Sequence, residues 1–166
     1  MVKFIILDDV FDDETVNQFK TIERTERAVW HIKTEVSPYD KILNICGNYF
    51  DMTDYAGYET WSNKTYVPGW HVDTEVSVAK FSNNTKSYLP ICSIVYYPVV
   101  EDLKGGEFLT KDLTLIPKPN RLIMFSSEIY HKVNTFTGNR ISLAVNPWNK
   151  KPLNFKELLK SKIKKI

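Results

Sequence analysis

The chain has 166 residues, which is long enough for one domain with a sizeable core. Its hydrophobic content of 43% and charged content of 25% are typical of a globular protein, and a net charge of +2 argues against nucleic-acid binding by bulk electrostatics. Because no apolar run reaches the roughly 20 residues of a membrane span and the start lacks a signal-cleavage pattern, we expect neither a membrane span nor a secretory signal. Cys46 and Cys92 show no pairing pattern and are expected to be buried thiols.

The N-terminal third predicts one strand followed by two helices. Residues 3–7 form a short apolar run that is typical of a strand. Asp12 or Asp13 is placed to cap a helix whose apolar residues recur at helical spacing. Ser37 opens a second helix, and Gly47 can end it.

From about residue 60, short β-branched and aromatic runs alternate with Gly, Pro and Asn. We predict eight strands, at residues 58–61, 69–76, 89–97, 107–109, 113–116, 121–125, 131–133 and 140–145. This pattern predicts a mainly β fold with flanking helices. Its core would be a double-stranded β-helix (jelly roll) of about eight strands, or a related barrel.

No repeat, low-complexity linker or composition boundary divides the chain. We therefore predict a single domain over residues 1–166. The strand and helices occupy residues 1–57 and the jelly-roll core residues 58–148. Residues 152–166 form a basic amphipathic helix with a solvated face.

Two histidines and one aspartate suit a metal site. His71 and Asp73 are two apart, so on a strand their side chains point to the same side. His131 begins another predicted strand and can supply a third ligand. Two imidazoles and one carboxylate form the facial triad of a mononuclear non-haem Fe(II) centre. Taken alone, a His-Xaa-Asp pair is more often a surface or hydrogen-bonded couple.

The last predicted strand has one polar and one apolar face. Arg140 follows His131 by nine residues and shares its face with Ser142, Ala144 and Asn146. A buried arginine needs an anionic partner, and Arg140 with Ser142 matches a carboxylate by a bidentate fork and a single donor. The alternative partner is an acidic residue of the protein itself.

The segment from Tyr58 to Trp148 resembles the Fe(II)- and 2-oxoglutarate (2OG)-dependent dioxygenases, in their prolyl 4-hydroxylase-like branch, with bacterial and bacteriophage members among the similar proteins. The resemblance is carried by an ordered set of motifs: His71-Val72-Asp73, Tyr96-Tyr97, Gly105-Gly106-Glu107-Phe108, Ile116-Pro117, Asn120-Arg121-Leu122-Ile123-Met124-Phe125, and His131 with Arg140. This resemblance implies a cytoplasmic location, which for a viral member is the host cytoplasm.

The resemblance implies a role for each matching residue of the cofactor site. His71, Asp73 and His131 would ligate Fe(II). Arg140 would pair with the C5 carboxylate of 2OG, and the Tyr97 hydroxyl would bond the same carboxylate. The alternative for Tyr97 is a core aromatic on a buried strand.

Further positions are expected around the pocket. Ser142 is a second donor to the co-substrate by its facing, and Phe108 would line the pocket beside 2OG. Trp61 is a candidate for substrate contact and stands where relatives often have a tyrosine near the iron-bound end of 2OG; tryptophan has one donor and more bulk. Asn146 and Trp148 leave the last strand near the pocket mouth and are candidates for substrate contact.

The implied reaction is hydroxylation of a substrate C–H bond with O2 and 2OG, releasing succinate and CO2. No residue beyond the metal ligands is predicted to be catalytic, and ascorbate would keep the iron reduced, as in relatives. The expected substrate is a prolyl residue in a peptide or protein. The alternatives are a free amino acid or small metabolite, and a non-catalytic module that binds 2OG, Fe(II) or Zn. The sequence supports neither a membrane partner nor any particular oligomeric state.

Two further features bear on substrate and access. Nucleobase-repair enzymes of the superfamily usually carry a second arginine six residues after the first, where this chain has Asn146. Nucleic acid is therefore not expected as a partner. The polar loop of residues 77–88 follows the first two ligands and could be a lid or a plain solvated connection.

Overall fold

The structure is a computed structural model that describes residues 3–23, 25–33, 36–62, 67, 69–74 and 88–152. Its elements, in chain order, are β1 (Phe4–Leu7), α1 (Asp13–Thr21), β2 (Val29–Ile32), α2 (Asp40–Cys46), β3 (Gly57–Ser62), β4 (Ser93–Gly105), β5 (Phe108–Thr110), β6 (Thr114–Leu115), β7 (Arg121–Phe125), β8 (His131–Val133) and β9 (Phe136–Trp148). Within the described residues, no helix is long and apolar enough to cross a bilayer.

In the described part of the chain, these strands form two antiparallel sheets. The larger has the order β1-β7-β4-β9-β3-β2 and the smaller the order β6-β5-β8. Buried side chains from both sheets, including Tyr97 and Ile123 of the larger and Phe108 and Leu115 of the smaller, form one apolar cluster between them. The two sheets therefore face each other, and the predicted double-stranded β-helix with flanking helices is confirmed.

The two helices begin in different ways. Asp12 caps α1, because its carboxylate accepts a 2.8 Å hydrogen bond from the backbone N–H of Thr15. Helix α2 starts at Asp40, after the predicted Ser37, and has no side-chain cap. Gly47 follows its last residue in a right-handed helical conformation, so the turn ends through backbone bonds to Leu43 and Ile45.

The helices cover the outer face of the larger sheet. Phe19 of α1 and Ile42 of α2 share a buried cluster with the apolar residues of β9, which are Ile141, Leu143 and Val145. Fully burying one such side chain contributes roughly 1.5–3 kcal/mol. The predicted division of the last strand into two faces is confirmed, and it leaves the polar face of β9 turned toward the smaller sheet.

The elements differ from the sequence prediction in four places. Strand β4 runs over Ser93–Gly105 instead of 89–97, and β9 extends beyond both ends of 140–145. These two strands pair along most of their length, with irregularities after Tyr96 and after Glu101. Strand β2 was not predicted and adds an edge to β3. In the predicted strand 69–76, the described residues show only an isolated bridge at His71.

Some predicted features lie outside the described residues. They are the last two residues of the predicted strand 69–76, all but Tyr88 of the candidate lid 77–88, and the C-terminal helix from residue 153 onward. Both cysteines are free and buried, as expected. Their Sγ atoms lie 3.2 Å apart, between the end of α2 and the start of β4.

Candidate metal centre

A single β-bridge brings the two candidate histidine ligands together. The backbone N–H of His71 donates to the carbonyl of His131, and that of His131 donates to the carbonyl of His71, both at 2.9 Å. The two imidazole centroids are 4.3 Å apart. Residues that are 60 positions apart in sequence thus present their side chains to the same space.

Each imidazole lies against the backbone carbonyl of the residue two positions before it. Nδ1 of His71 lies 2.8 Å from the carbonyl oxygen of Gly69, and Nδ1 of His131 lies 2.9 Å from that of Ile129. A carbonyl oxygen only accepts, so Nδ1 is the protonated nitrogen in both rings. In the neutral imidazole, Nε2 then carries the lone pair, which is the form of histidine that ligates metals.

Asp73 completes the cluster. Its carboxylate Oδ1 is 3.6 Å from Nε2 of His71, and the ligand atoms of His71, Asp73 and His131 all lie within 4.8 Å of one another. The structure thus brings together the three residues that the sequence predicts. His71 forms an isolated bridge, and Asp73 follows it outside any regular strand.

The pKa values of the three groups are shifted in different directions. Burial works against the carboxylate of Asp73, but His71, His131 and Ser93 together lower its pKa below the usual value. Burial also disfavours protonation of His71, yet Asp73 and the Gly69 carbonyl raise the pKa of its imidazole overall. Burial dominates at His131 and lowers its pKa. The cluster carries an anionic oxygen beside imidazole nitrogens and is suited to a divalent cation.

Aromatic rings enclose His131. The ring of Phe108 stacks on its imidazole at 5.1 Å with an interplanar angle of 18°, and Phe125 meets it edge-on at 4.9 Å. Phe108 is buried and packs directly on this candidate ligand. These rings exclude water from one side of the cluster.

Arg140 is buried without an acidic partner. It is 5% exposed, and Nη1 donates to the carbonyl of Gly106 at 3.1 Å. Its Nε has no hydrogen-bond partner, and no carboxylate of the described residues forms an ion pair with it. Burial lowers the pKa of Arg140, but a guanidinium stays charged at neutral pH. Burying an unpaired cation costs free energy, and binding of an anionic ligand would offset that cost.

Gly106, whose carbonyl accepts the hydrogen bond from Arg140, has a left-handed backbone conformation. Gly106 has a φ of +77°, and a Cβ there would lie 3.2 Å from Nη1 of Arg140. Gly105 precedes it at a φ of +78°, where a Cβ would lie 2.3 Å from the Thr135 carbonyl oxygen. Only glycine fits this turn without strain, so the Gly-Gly pair positions the carbonyl that orients the guanidinium.

Tyr97 and Ser142 lie on the same side of the larger sheet as Arg140. Tyr97 is almost fully buried, and burial raises the pKa of its phenol to about 12, against the opposing influence of Arg140 and Arg121. The phenol therefore stays protonated and can donate a hydrogen bond. Ser142 is half-buried and follows Arg140 on the same face of β9. Tyr97, Arg140 and Ser142 therefore share one face of the larger sheet.

The candidate substrate residues lie on the same face, farther along the sheet. Trp61 pairs in register with Ala144, so its side chain is on the side of Arg140. Asn146 is 2% exposed and Trp148 is 3% exposed, yet Oδ1 of Asn146 and Nε1 of Trp148 have no hydrogen-bond partner among the described residues. Each of these unsatisfied buried atoms lacks the hydrogen bond that a buried polar group normally makes.

Two features were not found from the sequence. Ser93, the first residue of β4, is buried and lowers the pKa of Asp73, but no motif distinguishes it. A cavity of about 250 Å³ lies mainly against the opposite face of β3, where Thr60, Ser62 and Tyr39 are among its lining residues. Trp61 also borders this cavity, so part of its side chain is accessible there as well as on the face that it shares with Arg140.

The sequence matches no protein-family model and no curated protein. Solved structures do match. The viral collagen prolyl hydroxylase of Paramecium bursaria Chlorella virus-1, in its 2OG complex, has a TM-score of 0.60 at 14% identity, over 87% of this chain and 93% of that one. The chain has the fold of the 2OG-Fe(II) oxygenases.

Two bacterial structures have the same fold. A Pseudomonas putida prolyl-4-hydroxylase matches with a TM-score of 0.58 at 12% identity, over 91% of this chain and 95% of that one. An oxidoreductase of the 2OG-Fe(II) oxygenase family from Burkholderia pseudomallei matches with a TM-score of 0.57 at 17% identity, over 92% and 88%. The expected fold family is confirmed over nearly the whole chain.

The described residues fit both groups that this fold implies. The orphaned Nε of Arg140 and its missing acidic partner fit a bound dicarboxylate. The two Nε2 lone pairs and the carboxylate of Asp73 fit a divalent metal.

Proposed function

We propose that this protein is an Fe(II)- and 2OG-dependent dioxygenase that hydroxylates a C–H bond of its substrate. The observation that carries the proposal is the pairing of a His-Asp-His cluster with a buried arginine that has no acidic partner among the residues that the structure describes. Neither a structural ion pair nor a simple zinc site requires such an arginine. When bound, Fe(II) and 2OG supply the chemistry that moves one atom of O2 into a C–H bond and releases succinate and CO2.

The residues of the chain bind and orient the two groups. His71, Asp73 and His131 would hold the metal through two imidazole nitrogens and one carboxylate oxygen. Arg140 and Tyr97 hold the far carboxylate of 2OG, with Ser142 as an additional donor. Phe108 and Phe125 pack on the imidazole of His131 and exclude water from that side of the metal ligands.

A prolyl residue in a peptide or protein is the proposed substrate. Structures with this fold include a prolyl hydroxylase in complex with a hypoxia inducible factor peptide fragment from Trichoplax adhaerens. In this chain, Asn146 offers a buried acceptor and Trp148 a buried donor, which together suit the N–H and C=O groups of a peptide backbone. We further propose a cytoplasmic location and ascorbate as the reductant that maintains Fe(II).

The direct test is succinate formation by purified protein with Fe(II), 2OG and O2, with and without proline-containing peptides. Peptide addition should raise succinate release and increase the mass of the peptide by one oxygen atom. The His131→Ala variant should lose both signals because it lacks one ligand. Full activity in that variant would refute the ligand assignment.

Two alternatives are separated by the same assay. If free amino acids gain the oxygen atom and peptides do not, the substrate is a small metabolite. If the protein binds metal and 2OG but releases no succinate, either with or without a candidate substrate, it is a binding module. Ascorbate is tested by its ability to prolong turnover after the first cycles.

A further inference from the structure

Two exposed aromatic residues stand next to the two histidine ligands. Trp70 precedes His71 and Tyr130 precedes His131. Their rings stack at 5.5 Å with an interplanar angle of 15°. Lys132 follows His131, and its Nζ lies 5.3 Å from the centroid of Trp70. The three residues form what we call the outer stack.

The outer stack lies on the side of the bridge away from the metal cluster. At a β-bridge, the residues beside the bridged pair point to the opposite face from it. Since the imidazoles of His71 and His131 point inward, Trp70 and Tyr130 point outward, where they are 42% and 56% exposed. Nothing in the metal pocket requires large aromatic rings there.

The bridge between His71 and His131 has little other support. Its two backbone hydrogen bonds join a segment with no further strand pairing in residues 69–74 to β8, which has only three residues. A net contribution from two backbone bonds is small, because both groups would otherwise bond to water. Stacking of the outer rings adds attraction across the same two segments.

We propose that Trp70 and Tyr130 are positioning residues that clamp the bridge from outside, so that both imidazoles are in place before the metal binds. The clamp acts through the backbone: fixing the bridge fixes the Gly69 and Ile129 carbonyls, which orient Nδ1 and aim Nε2 at the metal. Lys132 covers the exposed face of Trp70. This inference rests on the metal centre of the proposed function.

The test compares Trp70→Ala and Tyr130→Ala with Trp70→Phe and Tyr130→Phe, which keep a ring. Ile116→Ala is the control, because Ile116 is an exposed apolar residue (64%) outside the outer stack. The first readout is the affinity for Co(II), titrated by its absorption spectrum under anaerobic conditions. The alanine variants should bind on the order of tenfold more weakly, and the phenylalanine variants and the control like the wild type.

The second readout is hydrogen exchange in the metal-free protein. The amides of His71 and His131 should exchange faster in both alanine variants, while those of β4 and β9 keep their protection. Faster exchange throughout the core would mean a general structural role and would overturn the inference. So would wild-type Co(II) affinity with unchanged exchange at the bridge.

These readouts separate the clamp from the proposed function. A wild-type protein that binds no Co(II) would refute the metal centre, while exchange at the bridge would still decide the clamp. A wild-type protein that binds Co(II) but forms no succinate would refute only the enzyme. If one alanine variant fails to fold, the other variant tests the same stack from its opposite ring.

Discussion

The guanidinium of Arg140 lies 4.0 Å from the centroid of the Phe136 ring and faces no carboxylate among the described residues. The arginine is therefore held in place without being neutralised. We expect Arg140→Gln to raise the Kd for 2OG by about a hundredfold or more, because the mutation removes a buried charge and a bidentate donor. Arg140→Lys keeps the charge without the fork and should lose about tenfold. Calorimetric titration of 2OG into anaerobic, Mn(II)-loaded protein measures both.

Arg121 provides a matched control for this substitution. It is also a buried arginine, but its Nε and Nη2 donate to the carboxylate of Asp8 at 2.5 and 2.7 Å. Arg121→Gln should therefore lower the free energy of unfolding and leave the Kd for 2OG within about twofold of wild type. Equal losses of 2OG affinity in the two variants would contradict the role given to Arg140.

Tyr97 and Tyr96 offer a second matched pair, because neighbouring residues of β4 point to opposite faces. Tyr97 lies with Arg140, and its phenol is protonated at neutral pH since burial raises its pKa to about 12. Tyr97→Phe should weaken 2OG binding by about tenfold through loss of one donor to a carboxylate. The Tyr96 hydroxyl instead donates to Oδ1 of Asn120 at 3.1 Å on the helix side. Tyr96→Phe should leave the titration unchanged, and a loss there would reject the assignment.

The sequence predicts the site well where a local pattern decides the geometry. Alternation in β9 places Arg140 and Ser142 on one face, because the period of a strand is two residues. The convergence of His71 with His131 follows from the order of the strands in a jelly roll. What a pattern cannot show is that Arg140 lacks an acidic partner, since that depends on every residue around it.

The errors have physical causes. Three of the four residues 101–104 are charged, which resembles a loop. Here, however, β4 extends beyond the body of the sheet, pairs with β9 and has exposed residues, so the usual alternation is absent. Strand β2 is a short edge strand with mixed burial, so no alternation distinguishes it. The contact between Cys46 and Cys92 depends on how α2 packs against the start of β4. Local spacing contains none of this information.

Low pH should destabilise the fold by protonating Asp8, which follows β1 and accepts hydrogen bonds from Arg121. Its hydrogen bonds to Arg121 lower its pKa below 3.8 in the folded protein. A lowered folded-state pKa means that the carboxylate stabilises the fold above about pH 3.8 and loses this contribution as the pH falls through the folded value. Denaturant unfolding between about pH 5 and pH 2 should show a smaller loss of stability in Asp8→Asn than in wild type. The same slope in both proteins would show that the pair is not linked to folding.

Asn146 should lower the stability of the free protein and stabilise its complex with substrate. Its Oδ1 is buried without a partner, and an unsatisfied polar atom costs free energy until a ligand pairs with it. Asn146→Leu removes that cost, so the thermal midpoint should stay the same or rise, while the KM for a proline-containing peptide rises roughly tenfold. Succinate release without peptide should not change, because the metal and 2OG sites are intact.

Ser62 is the control for Asn146, because its Oγ is also buried and unpartnered but lies on the opposite face of β3 from Trp61. Ser62→Ala should match Asn146→Leu in its effect on stability and leave the KM for the peptide unchanged. A rise in KM for both variants would mean that the effect travels through the sheet. A rise for neither would remove Asn146 from the substrate surface and leave Trp148, with its unpartnered Nε1, as the remaining buried polar contact on that face.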